Sequence, residues 1–217
     1  MKGSDVLYSR YNQATEMLRY RRYAISAFIL LIFMIGFTFY NSVAGSSVNV
    51  ESQWLNLRGQ LVDRCNMVRK LADILEPTKF PDKNAIKELR DSVDGFTKAE
   101  TIKEVRNANF RVENAVYRVY SIIEEIPSIQ ENADFIMLQK EFSEKNKDID
   151  YARDEFNDAV QSHNKKVKFL PYSLLAEQLN MTEKEYFRPY EKSRHINSKF
   201  YGKETPELYK GEEPKEN

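Results

Sequence analysis

The sequence predicts an all-α protein: a single N-terminal transmembrane helix followed by an elongated antiparallel bundle of the four-helix type. Three observations predict it. Residues 24–40 read AISAFILLIFMIGFTFY, and no charged side chain occurs between Arg22 and Glu51. Three later stretches carry apolar residues at spacings of three and four, the period of helices that each bury one stripe. Glycine and proline are scarce, at 7 each in 217 residues, and no segment of useful length alternates with the period of a strand.

The apolar stretch comes first. With no water in the bilayer core, a lone spanning segment must satisfy its backbone within itself, which means a helix. About 20 apolar residues cross about 30 Å of hydrocarbon, so residues 24–43 are assigned as the span. Lys2, Arg10, Arg19, Arg21 and Arg22 precede it, whereas Arg58 is the only Lys or Arg in the 20 residues after Val43. The excess of positive charge marks the cytoplasmic side. The expected topology is therefore a single pass through the cell (inner or plasma) membrane, with residues 1–23 cytoplasmic and everything after Val43 extracytoplasmic. Ser42-Val43-Ala44 also has the small-x-small pattern of a signal-peptide cleavage site. Against cleavage, the 22-residue leader and the 17-residue apolar core are both long for a signal peptide. No cysteine follows the span closely, which argues against a lipoprotein.

Residues 1–23 form a basic arm with mixed helical spacing of Val6, Leu7, Tyr11, Ala14, Met17 and Leu18. Arg19, Arg21 and Arg22 suit anionic headgroups, and Tyr20, Tyr23 and Tyr40 suit the interfacial aromatic belt. The arm reads either as an interfacial helix or as a plain topogenic flank. Gly36 and Ala27 make no G-x-x-x-G pair, so the span carries no specific dimer motif.

A bundle is expected over 44–188. On its first helix Trp54, Leu61, Cys65, Val68, Ala72 and Leu75 share a face, interrupted by Arg58 and widened by Leu57, Val62 and Leu71. Glu76-Pro77 ends it, since proline lacks the donor and disfavours helix before it. Residues 44–49, AGSSVN, serve either as a continuation from the span or as a hinge. A short helix is expected over 84–93, ending near Gly95. The next carries Ile102, Val105, Val112, Val116, Val119, Ile123 and Ile126, broken by Asn109 and stopped by Pro127. The longest, 132–170, carries Phe135, Leu138, Phe142, Ile149, Ala152, Phe156, Val160, Val167 and Leu170, with Lys145 and His163 in the two remaining seam places and Pro171 as the stop. At 1.5 Å per residue it is roughly 58 Å long, which suits an elongated bundle. A last short helix, 172–180, carries Leu174, Leu175 and Leu179. Residues 189–217 form a charged tail, with Pro206, Gly211 and Pro214, expected to be disordered.

Composition excludes several function classes. Thirty-three basic and 33 acidic residues cancel, so no global charge draws the chain to nucleic acid. The single cysteine, Cys65, allows no internal disulfide and reads as a small core residue. His163 and His195 lie far apart, neither follows a Glu by three residues, and there is no phosphate loop or G-x-S-x-G elbow. Glu124, Glu125 and Glu131 flank helix ends and read as solvated surface. No catalytic residue, metal ligand, cofactor or small-molecule substrate is expected. Arg153, Asn157 and Asn164, at spacings of four and seven, share one helix face beside the seam. Arg58, Arg64, Asn109 and Lys145 are further polar positions near seams. Such polar residues fix helix register or recognise a partner. Seam residue His163 reads as a buried, hydrogen-bonded side chain, with pH sensing the sharper alternative.

Several pieces together resemble the LemA family. Ala152-Arg153, Phe156-Asn157, Val160, His163-Asn164, Val167 and Leu170-Pro171 resemble its A-R, Tyr-Asn, Val, Tyr-Asn, Ile/Val, Phe-Pro pattern. Phe156 and His163 stand where tyrosines are usual, and Leu170 replaces a phenylalanine. Leu61, Arg64, Asn66, Val68 and Leu71 are similar to its L-x-x-R-Y-D-L-I-P-N-L segment, with Cys65 for the Tyr, Asn66 for the Asp and no proline. Glu125-Ile126-Pro127-Ser128-Ile129, then Phe135, Leu138, Gln139 and Glu141, and Tyr40-Asn41 also fit. The resemblance runs over 40–187 and marks a divergent member with a longer arm. It implies a membrane-anchored antiparallel bundle in the bacterial envelope, with no established enzymatic activity in the family. Some members are tied to membrane remodelling, including magnetosome formation, and others to envelope stress. The resulting expectation is a non-catalytic envelope scaffold. Its partners would be membrane lipid and either a second copy of the chain or an envelope protein. The alternative is a sensor or adaptor relaying a signal through the span. The motif residues expected to carry structure or partner contact are Arg64, Arg153, Asn157, His163 and Asn164.

Overall fold

The helices begin and end where local chemistry permits. Leu75 is the last residue of α1 (Lys2–Leu75), directly before Glu76-Pro77. Asp82 caps α2 (Lys83–Thr97), its carboxylate accepting from the amides of Asn84 and Ala85. Thr101 and Glu104 form a reciprocal capping box at the start of α3 (Ile102–Ile123), a signal legible in T-I-K-E that the periodicity reading passed over. Pro127 opens the single turn α4 (Pro127–Gln130). Asn132 accepts from the amides of Asp134 and Phe135 at 2.9 and 3.1 Å and so caps α5 (Ala133–Lys168). The computed structural model of the chain describes residues 2–169, 173, 176 and 181–188, with backbone alone over 2–15. No strand occurs among the described residues. Leu170 and Pro171, the expected helix 172–180, the tail 189–217 and His195 lie outside them.

Residues 44–49 are helical, the continuation that the sequence left open beside a hinge. Two boundaries differ from the periodicity. α2 runs past Gly95 to Thr97 because Phe96 is buried at 2% exposure, and a buried aromatic outweighs the roughly 1 kcal/mol that a mid-helix glycine costs. α3 stops at Ile123, three residues before the expected Ile126. Proline holds the residue before it out of the helical region, and Ile126 accordingly sits at φ −123°. The carbonyls of Ile123 and Glu124 accept from Gln130 Nε2 at 3.1 and 2.9 Å, and that of Ile123 also accepts from the Ile126 amide at 2.9 Å.

The chain divides into two units by its contacts. The larger comprises Asn49–Ser162 with Lys184–Asn217, described over 184–188 at its C-terminal end. Here residues 49–75 of α1 pack with α2, α3, α4 and most of α5 around one core. Leu57, Leu61, Val68, Leu71, Leu75, Leu89, Val93, Val105, Val119, Phe142, Phe156 and Val160 are among its buried side chains. Ion pairs give the register. Arg69 meets Asp94 at 3.6 Å, and Arg90 meets Asp73 and Glu76 at 2.8 and 2.7 Å, so α1 and α2 run antiparallel. Arg118 joins α3 to Asp82 and Glu88. Tyr120 packs against Phe135 and Phe142, and Lys145 and Glu141 on α5 reach Asp63 and Lys70 on α1. Up, down, up, down is the expected antiparallel bundle.

Val62, expected to widen the core face, is 39% exposed; Leu57 and Leu61 fill that side of α1, leaving Val62 on the outer flank. Lys145 occupies its seam place only in part, sending its ammonium to Gln60 at 2.9 Å and Asp63 at 3.2 Å while its stem covers apolar surface. Cys65 is buried, and burial pushes its thiol up to about 11 against the fields of Arg64 and Arg69.

Two cap carboxylates are held below their ordinary ranges, which predicts an acid-sensitive fold. The Arg118 guanidinium, then the Ala85 amide, holds Asp82 below its ordinary 3.8. The amides of Thr101 and Glu100 hold Glu104 below 4.5. A carboxylate with a depressed folded-state value stabilises the fold fully above its ordinary range, and that stabilisation is lost as pH falls through the folded value. Thermal melts of the detergent-solubilised chain should show a falling midpoint once pH drops below this range. In Arg118→Met the Asp82 share of that slope should shrink.

The smaller unit comprises Met1–Val48 and His163–Glu183. Its largest part is the arm and the apolar stretch of α1. The division falls after Val48, so 44–48 group with the apolar stretch. Among the described residues α1 supplies the helix long and apolar enough to cross a membrane, by length and composition. Its best 18-residue window has a mean hydropathy of 2.1, and none of that window is buried. Within the stretch Thr38 turns its hydroxyl onto the Ile35 carbonyl at 2.8 Å, which satisfies it without water.

Candidate functional site

Arg64 on α1 is 4% exposed, so its charge needs partners within the bundle. They come from two other helices. Nη2 donates to Asn109 Oδ1 and, at 3.1 Å, to Glu113 Oε1, both on α3; Nη1 donates to Asn146 Oδ1 on α5 at 3.5 Å. Asn109 Nδ2 also donates to Glu113 Oε1 at 3.0 Å, as residues four apart on one helix can. The result is a buried ion pair within an amide frame that ties three helices together. Glu113 Oε2 and Asn146 Nδ2 are buried without a hydrogen-bond partner among the described residues. The sequence singled out Arg64 and Asn109 but missed Glu113 and Asn146. Glu113 was findable, lying four residues after Asn109 and beside the stripe at Val112 and Val116.

The other motif residues do not join Arg64. Arg153 pairs along its own helix with Asp150 at 2.8 Å and Asp154 at 3.5 Å. Burial pushes the Asp150 carboxyl up, and Arg153 opposes the shift. Asn157 acts on the chain's later segment: its Nδ2 donates to the Phe187 carbonyl at 3.1 Å and its Oδ1 accepts from the Phe187 amide at 3.0 Å. This two-point clamp imitates a strand neighbour and pins a non-helical segment. It sets the Phe187 ring 5.9 Å from Trp54, which itself lies 5.5 Å from Phe156. Arg106 and Glu185 tie the same segment down at 3.3 Å. Asn157→Ala should cost about 1–3 kcal/mol, since it strips both backbone groups of Phe187 of their partner. Trp54 is the only tryptophan, so its emission should shift in the same variant; an unchanged melting midpoint would remove the structural role.

His163, 1% exposed, belongs to the smaller unit. Its Nε2 faces the Thr182 carbonyl at 3.1 Å and its Nδ1 faces Ser46 Oγ at 3.0 Å. A carbonyl only accepts, so Nε2 carries a proton. Ser46 donates to the Val43 carbonyl at 2.6 Å. Lys166 donates to the Ser42 carbonyl at 3.1 Å, and Lys168 pairs with Glu183 at 2.9 Å. Lysines in the last turn of α5 also suit its negative end. Asn164 is buried beside His163.

At the positions expected to flank a membrane, Arg19, Tyr20, Arg21, Arg22, Tyr23 and Tyr40 are all exposed, and Arg19 pairs with Glu16 at 3.1 Å. Among the described residues no three His, Cys, Asp or Glu side chains gather as metal ligands would. The most regular acidic group, Glu104, is committed to its capping box.

The arrangement is one of clamps: polar side chains fasten helix to helix or helix to segment. No curated protein matches the chain. The model of the LemA family matches residues 53–200, which begins beyond Tyr40-Asn41 and leaves the arm and the apolar stretch outside. That match covers about two thirds of the chain, holds the Arg64 and Asn157 clamps, and agrees with the helical architecture: the chain belongs to the LemA family.

Proposed function

We propose that the protein is a single-pass, membrane-anchored helical scaffold of the bacterial envelope, with no catalytic activity, that holds partners or further copies of itself at the membrane. The observation that carries this is the apolar stretch of α1, whose most apolar 18-residue window has no buried residue, joined to a bundle whose buried polar groups are engaged in fastening helices. An apolar surface of this length in water is untenable for a soluble monomer, and a bilayer covers it. The arginines before it support an arm in the cytoplasm and a bundle outside. Membrane remodelling is the role that suits such a scaffold among those associated with the family.

The test is native size and composition after gentle detergent extraction. A scaffold is recovered as an oligomer or with a stoichiometric envelope partner. A strict monomer at micromolar concentration with nothing bound contradicts it. The adaptor reading has one observation in its favour: α1 is helical from Lys2 to Leu75, so the arm and the first bundle helix belong to one element. It requires the arm, so a chain lacking residues 2–18 should lose signalling while staying in the membrane.

A further inference from the structure

On α1, opposite the core side, Ser52, Leu55, Gly59, Val62 and Asn66 follow one another at spacings of three and four, and all five are exposed. Leu55 is 63% exposed. None is charged, in a chain where 30% of residues are. Gly59 has no left-handed backbone, and nothing lies within 4 Å of where its Cβ would be. Neither conformation nor packing within one molecule calls for glycine there, and a mid-helix glycine destabilises. What it permits is close approach by another helix.

We propose that this face pairs, parallel and in register, with the same face of a second copy of the chain. The inference rests on the single-pass reading, because a shared membrane sets all copies parallel. An alternation of three and four averages 3.5 residues, the seam of a left-handed two-stranded coiled coil. In a parallel pair each seam residue meets its own copy, so a charged seam would repel itself; this one carries no charge. The flanking charges are complementary. Arg58 and Asp63 are five apart, the offset at which the flanking positions of parallel helices face each other across the seam. Within one molecule Arg58 commits Nη2 to the Ala99 carbonyl, and Asp63 meets Lys145 through Oδ2, so Arg58 Nε and Nη1 and Asp63 Oδ1 lie outside those two contacts. Five residues fall well short of the roughly 800 Å² per partner that a free-standing dimer buries. The pairing therefore depends on the effective concentration that the membrane anchor supplies.

Disulfide scanning of the full chain in intact membranes tests it. In a Cys65→Ala background, single cysteines replace Leu55 or Val62 on the face, and Glu88 or Lys147 on other exposed surfaces. The expected result is several-fold more disulfide dimer on oxidation at 55 and 62 than at 88 and 147. Adding Gly59→Leu should abolish the excess at 55 with the membrane fraction unchanged and the melting midpoint no lower. Equal yields at all four positions, no dimer at 55 and 62, or adducts at 55 and 62 only with a different protein or with lipid would overturn the pairing. If the chain is in the membrane fraction, those results leave the anchor standing. Recovery of the chain in the soluble fraction overturns the anchor and the pairing with it.

Discussion

Arg64→Leu is expected to destabilise the bundle by about 3–5 kcal/mol, the cost of leaving a buried charge without its partner. The charge left behind is Glu113, whose carboxylate is 9% exposed and has Arg64 as its cationic partner at 3.1 Å. Glu113→Leu should cost a similar amount from the other side. The double variant should recover much of the loss, because two apolar side chains of similar volume replace an ion pair whose desolvation cost rivals its attraction. Denaturant melts of the four chains form a double-mutant cycle, and a coupling near zero would show that the two groups act separately.

Leu31→Arg together with Met34→Arg should detach the chain from the bilayer. Both positions lie in the uncovered stretch, near its middle, where an arginine costs about 2.5–3.5 kcal/mol on insertion scales. Alkaline carbonate extraction of cell membranes should find the wild-type chain in the pellet and the double variant in the supernatant or degraded. Leu31→Phe with Met34→Leu should behave as wild type. The Arg64 clamp is some 30 residues away along α1 and gives no reason for the bundle itself to unfold, so the two large effects separate anchoring from folding.

Much of this fold was legible because its controlling signals are local. Glu76-Pro77, Ile126-Pro127 and Asn132 mark helix limits through their own backbone chemistry, and the apolar spacing named Leu61, Val68, Val112, Phe142, Phe156 and Val160 in the core, though not Met67, Leu89, Ala108, Tyr120 or Ala159. Phe96 shows where local rules lose: Gly95 reads as a stop, yet an aromatic one residue later finds a buried place and carries the helix on. Val62 shows the converse, since a wide apolar stripe does not reveal which flank faces solvent.

The clamps were harder to read because their partners are distant in sequence. Arg64 was recognisable as a polar residue near a seam, but Asn109, Glu113 and Asn146 lie 45, 49 and 82 residues away. Arg153, Asn157 and Asn164 do follow one another at helical spacing, which suggested one network. Arg153 in fact closes on Asp150 and Asp154, while Asn157 closes on the backbone of Phe187. Shared spacing along a long helix puts residues on one face; it does not choose what that face meets at each level. Asn157 in particular serves a non-helical segment, which no apolar period announces.

The proposed scaffold requires the bundle to lie across the membrane from the basic arm. Cys65 makes a direct measurement practicable, since it is buried and its thiol is pushed up to about 11, so it stays protonated and unreactive at neutral pH. A Lys147→Cys chain therefore presents one reactive thiol on an exposed face of α5. Treated in spheroplasts with a membrane-impermeant maleimide, this chain should label fully before permeabilisation, and a cysteine placed at Ser9 in the arm should label only after it. Labelling of Lys147→Cys only after permeabilisation would contradict the account.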